Sequence, residues 1–430
     1  MKDILAMIMA GGNGERLYPL TRDRAKPAVP FGGIYRLVDF TLNNCINSGL
    51  RKIIVLTQYK SLSLERHLRL GWNIFHPELD EFLFPISAQM RISDDWYKGT
   101  ADSIYQNLYF ADKINPKYFL ILSADHVYKM DYSNMLAFHK EKDADATVAM
   151  IEVAQGKGPQ FGVIKVNDEN KIVDFEEKPK KIDLSPQNNK TILVNMGVYI
   201  FNNDVLREFL RKDAHKQTYH DFGKDIIPEM VKRARVFAYN FKDENGKKPP
   251  YWRDVGTIDA YYEANMDLLI QDPIFDLYDN DWPIRTYQEQ YPPAKMFFSQ
   301  ENIGGRLGIC VDSLVSGGCI INARSVQNSV LSPHVRIDSH SEIRESILME
   351  GVEVGRDCKI KRAIIDKGVK IPSGSQIGYN REEDRKRFFV SDLGKVVVPK
   401  GMKLSYQKRA ILKEQDRIDH DYLQGVANFD

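Results

Sequence analysis

The stretch Ile4-Leu-Ala-Met-Ile-Met-Ala10-Gly-Gly-Asn-Gly-Glu-Arg-Leu17 decides how the rest of the chain is read. Residues 4–10 form an unbroken apolar run, too short to cross a membrane and right for a buried strand. The run ends in Gly11, Gly12 and Gly14, with Arg16 directly behind them. Glycines at such a place let backbone N–H groups turn around an anion without Cβ clashes, and a guanidinium adds a bidentate phosphate contact. Lys26, in Arg24-Ala-Lys-Pro27, is a second cation for the same cradle. A strand-to-helix turn that needs glycine only for tight packing accounts for the glycines equally well. The loop lacks both the G-x-G-x-x-G spacing of a dinucleotide site and the Gly-Lys-Ser/Thr ending of an NTPase P-loop.

Outward from this loop, the first 270 residues alternate apolar runs with amphipathic stretches. Ile53–Thr57 reads as a second strand, after a helix through Asp39–Asn47; Ser61–Leu70 and Thr100–Ile114 read as helices. Tyr118–Ser123 is the third buried strand, ending at Ala124-Asp125-His126, and a helix over 132–142 and a strand over 146–153 come next. This βαβα order predicts a doubly wound, mainly parallel α/β sheet with ligands at the carboxyl ends of its strands. Gly11–Gly14 and Asp125 both stand at such ends, so they are expected to face one crevice. Phe161–Val166 and Lys171–Pro179 read as a hairpin, Asn195–Phe201 as another strand, and Tyr251–Thr257 as the opening of a helix that runs to Leu269.

After Ser313 the texture changes. Aliphatic residues recur at Leu314, Ile320, Val326, Leu331, Ile337, Ile343, Leu348, Val354, Ile360, Ile365, Ile371 and Ile377, six residues apart or, at three places, five. Neither an α-helix nor an alternating strand has that period, whereas a parallel β-helix with three short strands per coil does. The expected division is therefore 1–270 as the α/β domain, 271–312 as a linker packing between domains, and 313–430 as a parallel β-helix with a C-terminal tail, helical over 410–422.

The totals exclude several function classes. A formal net charge of +1 over 430 residues lacks the clustered basic excess of a nucleic-acid grip, so an anionic ligand should be small and met by a few placed cations. Cys45, Cys310, Cys319 and Cys358 are scattered without C-x-x-C and read as free, mostly buried thiols in a reducing compartment. No apolar run approaches transmembrane length. The expectation is a soluble cytoplasmic protein that binds neither nucleic acid nor membrane.

Two acids are candidates for metal binding. Asp125 follows an apolar strand directly, and Asp254 stands in Trp-Arg-Asp-Val-Gly beside a glycine turn. Two carboxylates plus phosphate oxygens and water are a common way to hold Mg²⁺; each alone is also a reasonable cap or surface charge. Lys178, at a hairpin end, is a phosphate contact or a solvated lysine. His126 is a base or, the better reading, a histidine hydrogen-bonded into the sheet edge. His334 and His340 are either catalytic bases of the kind β-helix acyltransferases use or corner residues. No G-x-S-x-G and no cysteine beside a base is present, so the chemistry favoured is alignment plus charge neutralisation, as in phosphoryl or nucleotidyl transfer.

Ala10-Gly-Gly-Asn-Gly-Glu-Arg-Leu17 with Arg24-Ala-Lys-Pro-Ala28 resembles the sugar-nucleotide pyrophosphorylases. Asn43-Asn-Cys-Ile-Asn-Ser-Gly49, Trp96-Tyr-Lys-Gly-Thr-Ala-Asp102, Asp125-His-Val-Tyr128, Glu177-Lys-Pro179, His220-Asp-Phe-Gly-Lys-Asp225, Trp252-Arg-Asp-Val-Gly256, Trp282-Pro-Ile-Arg285 and Ser313-Leu-Val-Ser-Gly-Gly-Cys319 narrow the resemblance to the ADP-glucose pyrophosphorylase family. They run in order through nearly the whole chain. The resemblance implies a nucleotidyltransferase domain followed by a left-handed parallel β-helix. It implies that the enzyme joins ATP and glucose 1-phosphate with Mg²⁺, assembles as a homotetramer and answers to small-molecule effectors. Gly11, Gly12, Gly14, Arg16 and Lys26 would then meet the ATP phosphates, Gln58 the adenine, and Asp125 and Asp254 the metal. Tyr97, Gly162, Glu177, Lys178, Asn195, Asp221 and Trp252 would form the glucose 1-phosphate pocket, with Lys178 on the sugar phosphate.

Two departures qualify what the resemblance implies. Many relatives carry Ser where Asn195 stands. Some carry Lys, part of a sugar-phosphate activator site, where this chain has Asp23, whose carboxylate would repel that ligand. Arg36, Arg385 and Arg387 remain candidates for an effector site, or plain surface arginines. Competing readings are the same chemistry with another base, such as UDP-glucose synthesis, a regulatory subunit without activity, and a β-helix acyltransferase. Retention of Arg16, Lys26, Asp125 and Lys178 together disfavours the second, and the lack of an acceptor motif disfavours the third.

Overall fold

The computed structural model describes residues 1–89, 96–180, 191–297 and 308–404, the side chain of Lys157 excepted. The helix expected over 410–422 lies outside them. The chain divides into two compact units, Met1–Gln290 and Tyr291–Asp430.

In the first unit, β1 (Ile4–Met9), α1 (Leu37–Asn47), β2 (Lys52–Thr57), α2 (Leu62–Gly71), β3 (Phe82–Ser87), α3 (Thr100–Gln106), α4 (Leu108–Ile114) and β4 (Tyr118–Ser123) come first. Then come β5 (His126–Tyr128), α5 (Tyr132–Glu141), β6 (Ala146–Ala154), β7 (Gly162–Val166), β8 (Ile172–Glu177) and β9 (Thr191–Asn202). The unit continues with α6 (Asn203–Ala214), α7 (Ile227–Arg233), β10 (Val236–Asn240), β11 (Trp252–Asp254) and α8 (Ile258–Met266). The main sheet is mixed, in the order β8-β7-β9-β4-β1-β2-β3, with β6 pairing β9 and β10. β3, β2, β1 and β4 are mutually parallel, and β9 runs antiparallel to β4, β6 and β7.

Both faces of the sheet are covered, which is why β1 and β4 read as continuous apolar runs rather than alternating ones. Ile4, Ala6, Ile8, Leu120 and Leu122 pack on one side with Val38, Leu42 and Cys45 of α1 and Leu64 and Leu68 of α2. Leu5, Met7, Phe119 and Ile121 pack on the other with Ala101 and Ile104 of α3 and Leu206, Phe209 and Leu210 of α6.

Two local readings need correcting. The helix expected over Thr100–Ile114 is broken at Asn107 (φ −105°, ψ 5°), whose side chain donates to the Ser103 carbonyl at 2.8 Å and to Tyr97 Oη at 2.9 Å. Asparagine competes for backbone partners in this way and favours helix ends. Strand β3 escaped the sequence reading because it carries Pro85 and partly exposed side chains, both features of an edge strand.

The asparagines of Asn43-Asn-Cys-Ile-Asn47 fasten a distant segment onto α1. Asn43 Nδ2 donates to the Arg285 carbonyl at 2.8 Å while its Oδ1 accepts from Arg285 N–H at 2.7 Å. Asn44 Oδ1 accepts from Trp282 Nε1 at 3.0 Å, and Asn47 Nδ2 donates to the Pro283 carbonyl at 3.0 Å. Asp39, fully buried, accepts from His67 Nε2, Trp72 Nε1, Arg36 N–H and Thr286 Oγ1 at 2.6–3.0 Å. Residues 282–286, within the stretch expected to pack as a linker, thus lie along α1 through satisfied buried polar groups.

The second unit is a parallel β-helix. Arg336–Ile337 pairs with Glu353–Val354 and that with Lys370–Ile371, and the other two walls repeat in the same way. On this wall the steps from Ile337 to Val354 and Ile371 advance 17 residues, but the first pairs Ile320 with Arg336 and Ile321 with Ile337. That coil is one residue shorter, so the inward positions are Val315 and Ile321, not Leu314 and Ile320; Ile320 faces out, 38% exposed. The later positions, Val326 to Ile377, are interior as expected. The corners use left-handed backbone, at His334, Gly351 and Gly368 on one edge and His340, Asp357 and Gly374 on another. His334 and His340 are therefore corner residues. No helix among the described residues is long and apolar enough to cross a membrane.

Candidate active site

The parallel pairing of β1 with β4 carries the glycine loop and Asp125 to the same sheet edge, as the strand order predicts. A cleft of about 460 Å³ opens there, lined by Gly12, Gly14, Arg16, Lys26, Asp125 and Gly256 among others. Gly14 adopts φ +64°, and a Cβ on it would lie 3.0 Å from Thr21 and 3.2 Å from Lys26, so only glycine fits. Thr21 Oγ1 donates to the Gly14 carbonyl at 2.9 Å and holds the turn. A Cβ on Gly12 would meet nothing within 4 Å, so its backbone is open to the cleft. Gln58, at the end of β2, lies against Gly11, where a Cβ would sit 3.0 Å from that of Gln58.

Asp254 arrives by a route the sequence does not display. β11 pairs antiparallel with β5, matching Trp252 to Tyr128 and Asp254 to His126. This two-stranded ribbon brings Asp254 beside Asp125. Lys26 Nζ donates to Asp125 Oδ2 at 2.6 Å and to Asp254 Oδ1 at 3.4 Å. His126 Nε2 lies 3.6 Å from Asp125 and 3.8 Å from Asp254. The expected hydrogen bond of the His126 ring into the sheet edge is not found among the described residues; the ring faces the two carboxylates instead, held there by the pairing of β5 with β11. Its Nδ1 is buried without a hydrogen-bond partner.

Burial penalises charge on both partners of the Lys26–Asp125 pair, and mutual attraction overcomes it. Asp125 stays well below the usual carboxylate range despite burial, held there by Lys26 and His126. Lys26 is raised above 10.5 despite burial, held by Asp125 and Asp254. A Cβ on Gly256 would lie 3.2 Å from Asp254 Oδ1 and 3.3 Å from Arg16 Nη2, so both side chains border that glycine. Asp125, His126 and Asp254 offer ligand atoms within 4.8 Å of one another, a set of two hard carboxylates and an imidazole that fits a divalent cation.

The expected sugar-binding residues gather next to this cluster. A Cβ on Gly162 would lie 2.7 Å from Glu177 Oε2 and 3.4 Å from Asn195, and one on Gly223 would lie 2.6 Å from Glu177 Oε2. Glu177 is therefore held between two glycines. Lys178 (φ +50°) pairs with Glu177 at 2.9 Å and is half exposed. Asn195 Oδ1 accepts from Gly197 N–H at 2.9 Å, and a Cβ on Gly197 would approach His126 Cε1 at 3.5 Å. Asp221 caps the π-turn Phe222–Ile226 through the N–H groups of Gly223 and Lys224 and accepts from Thr100 Oγ1 at 2.9 Å. Trp252 stacks edge-on against His126 with ring centroids 5.2 Å apart and also meets Phe161; its Nε1 is buried without a partner. Tyr97 lies nearer α3, its hydroxyl held by Asn107 and its pKa raised by burial.

Two family models match the chain: one described as Nucleotidyl transferase over residues 5–271, and one described as GlmU-like, C-terminal hexapeptide over 292–398. A glucose-1-phosphate adenylyltransferase of Koribacter versatilis is 52% identical over 407 residues, 94% of this chain and 97% of the relative. Glucose-1-phosphate adenylyltransferase 2 of Vibrio cholerae is 50% identical over 94% of this chain and 100% of the relative. The chain belongs to the glucose-1-phosphate adenylyltransferase family. A Rhodopirellula baltica member is 48% identical over 93% of the chain. Of the residues the sequence singled out, the structure brings the glycine loop, Arg16, Lys26, Asp125 and Asp254 together. Sequence reasoning did not place His126 among the residues that could hold a metal, nor Gly223 and Gly256 as the residues that make room for Glu177 and Arg16. Arg36 donates to Ser63 at 2.8 Å, Arg387 lies over the ring of Phe388, and Arg385 stands in the short helix Arg381–Arg387.

Proposed function

We propose that this protein transfers the adenylyl group of ATP to α-D-glucose 1-phosphate, giving ADP-glucose and pyrophosphate for α-1,4-glucan (glycogen) synthesis. The observation that carries the reading is the meeting, in one cleft, of the glycine loop, two cations and two carboxylates in a chain about half identical to adenylyltransferases over nearly its full length.

A phosphate oxygen of glucose 1-phosphate forms the new bond to the α-phosphorus of ATP, and the bond from that phosphorus to the bridging oxygen breaks, releasing pyrophosphate. The nucleophile is already an anion at neutral pH, so no general base is required and the protein's work is alignment and charge neutralisation. The glycine loop, its backbone open at Gly12, cradles the phosphates, and Gln58 beside Gly11 is suited to the adenine. Arg16 and Lys26 offset the charge that develops on the phosphates. Asp125 and Asp254, with His126 alongside, hold the divalent cation, which we take to be Mg²⁺. That cation, when bound, supplies further neutralisation and Lewis-acid polarisation of the phosphates. Glu177 accepts sugar hydroxyls and Lys178 meets the sugar phosphate. Gly162, Asn195, Asp221 and Tyr97 shape the pocket, with Trp252 as its apolar wall. The buried Nε1 of Trp252 and Nδ1 of His126 are unpaired; such atoms cost about 1–3 kcal/mol each until a ligand or water meets them. In the same reading the enzyme is a cytoplasmic homotetramer under small-molecule control, with Arg36, Arg385 and Arg387 as effector candidates.

The test is pyrophosphate release from purified protein with glucose 1-phosphate and Mg²⁺, run in parallel with ATP, UTP, GTP and dTTP. Turnover with ATP alone is expected. Preference for UTP would overturn the choice of base, and no turnover with any nucleotide, with or without a panel of sugar phosphates as activators, would overturn the assignment as an enzyme.

A further inference from the structure

Lys26 already holds the two carboxylates that a metal would need. Its ammonium lies 2.6 Å from Asp125 Oδ2 and 3.4 Å from Asp254 Oδ1, with the Lys26 side chain only 10% exposed. The residue sits on the 3₁₀ turn Lys26–Ala28. The turn is fixed by Ala25 N–H donating to the Lys60 carbonyl at 3.2 Å, and Lys60 Nζ in turn donates to the Thr21 carbonyl at 3.2 Å. With Arg16 also bordering Gly256 close to Lys26, the two carboxylates and the two cations of the cluster balance in charge. A bare divalent cation entering this site would add charge to a neutral cluster and leave an ammonium buried without a partner, both unfavourable at low dielectric. A polyphosphate removes both obstacles. It brings negative charge for the metal and new partners for the lysine.

We propose that Lys26 is a built-in counter-ion that keeps divalent cations out of the nucleotide-free site and is drawn off the carboxylates only by incoming phosphates, so that metal loads with nucleotide and not before it. The proposal rests on reading this cleft as a nucleotide–metal site. The lysine's two roles then succeed each other: guard of the carboxylates in the free protein, partner of the phosphates in the complex.

The experiment is a Mn²⁺ titration without nucleotide, monitored by the electron paramagnetic resonance signal of the free ion. It is run on the wild type, Lys26→Met, Lys26→Gln, Lys26→Arg and the double variant Lys26→Met/Asp125→Asn. The neutral variants are expected to bind one equivalent about tenfold or more tightly than the wild type, since a competing charge has been removed from the carboxylates. Lys26→Arg is expected to stay as weak as the wild type, and the double variant to lose the gain. Thermal melts give a second readout: Mn²⁺ should raise the Tm of Lys26→Met and Lys26→Gln and leave that of the wild type unchanged. Neutral variants that are folded yet bind no more tightly than the wild type would overturn the proposal. So would tight Mn²⁺ binding by the wild type alone, a result that needs no variant to fold. ATP binding to the wild type is measured separately by equilibrium dialysis. Its absence would refute the nucleotide reading, while the metal titration, free of nucleotide, speaks to the lysine alone.

Discussion

Gly223→Ala isolates the sugar side of the site without touching the metal side. A Cβ at Gly223 would lie 2.6 Å from Glu177 Oε2, 2.9 Å from Cδ and 3.3 Å from Cγ, and its three nearest neighbours all belong to Glu177. To reach ordinary contact at 3.4 Å the carboxylate must retreat by about 0.8 Å. A hydrogen bond to a sugar hydroxyl does not survive such a shift, and misplacements near 1 Å cost on the order of 10²-fold in rate. The backbone at Gly223 is helical in hand, so alanine is tolerated there, and replacing glycine within a helical turn gains up to about 1 kcal/mol. The expected outcome is therefore split: kcat/KM for glucose 1-phosphate falls by about 10- to 100-fold, the KM for ATP stays within about twofold, and Tm does not fall. Steady-state pyrophosphate release with each substrate varied in turn, beside a thermal melt, reads all three. Unchanged kcat/KM for the sugar phosphate at full stability would mean that Glu177 does not touch the sugar, and the pocket would have to be placed elsewhere.

Lys178→Ala should raise the KM for glucose 1-phosphate by about tenfold or more through loss of a charged contact, with a much smaller effect on ATP; equal effects on both substrates would take Lys178 out of the sugar pocket. Asn44→Ala removes partners from Tyr128 carbonyl, Met130 N–H and Trp282 Nε1 together. A loss of about 3 kcal/mol in urea unfolding is expected, and a loss below about 1 kcal/mol would show the segment at 282–286 to be held by other contacts. The Lys26–Asp125 pair predicts a plateau in stability against pH. Asp125 is depressed below 3.8, so its contribution is present above that value and fades as pH falls through its lower folded pKa. Lys26 is raised above 10.5, so its contribution is complete below that value and fades as pH rises through its higher folded pKa. The Tm difference between wild type and Asp125→Asn should hence be flat from about pH 8 to 9; a slope there would mean that the pair is not ionised as described.

Much of the fold was legible because the strands carry their own signal. β1 and β4 are apolar on both faces, which only a covered sheet requires, and the six-residue repeat admits few structures besides a β-helix. The places where the reading slipped have local physical causes. Ile320-Ile321 offers two adjacent aliphatics to one inward position, and a coil shorter by one residue decides between them. A helical pattern over Thr100–Ile114 says nothing of a side chain at Asn107 that captures the helix's own carbonyl. Asn43, Asn44 and Asn47 lie near the site in sequence but serve to pin residues 282–286, a long-range role that no local pattern displays.

The active site divides along the same line. The glycine loop and Asp125 could be found because each stands directly at the end of a buried strand, where an α/β sheet presents its ligand-binding residues. Asp254 stands 228 residues after Lys26, on a three-residue strand with no periodicity of its own, and it joins the site only because Asp254 pairs with His126 across the ribbon of β5 and β11. That same pairing sets the imidazole beside the carboxylates and Trp252 against it, so one short antiparallel contact joins the proposed metal-binding set to the proposed sugar wall. In the sequence, Asp125 and His126 each had a plausible structural reading of their own, and Trp252 entered only through the family resemblance. In the folded protein they meet, because His126 lies 3.6 Å from Asp125 and packs edge-on against Trp252, its neighbour across the ribbon.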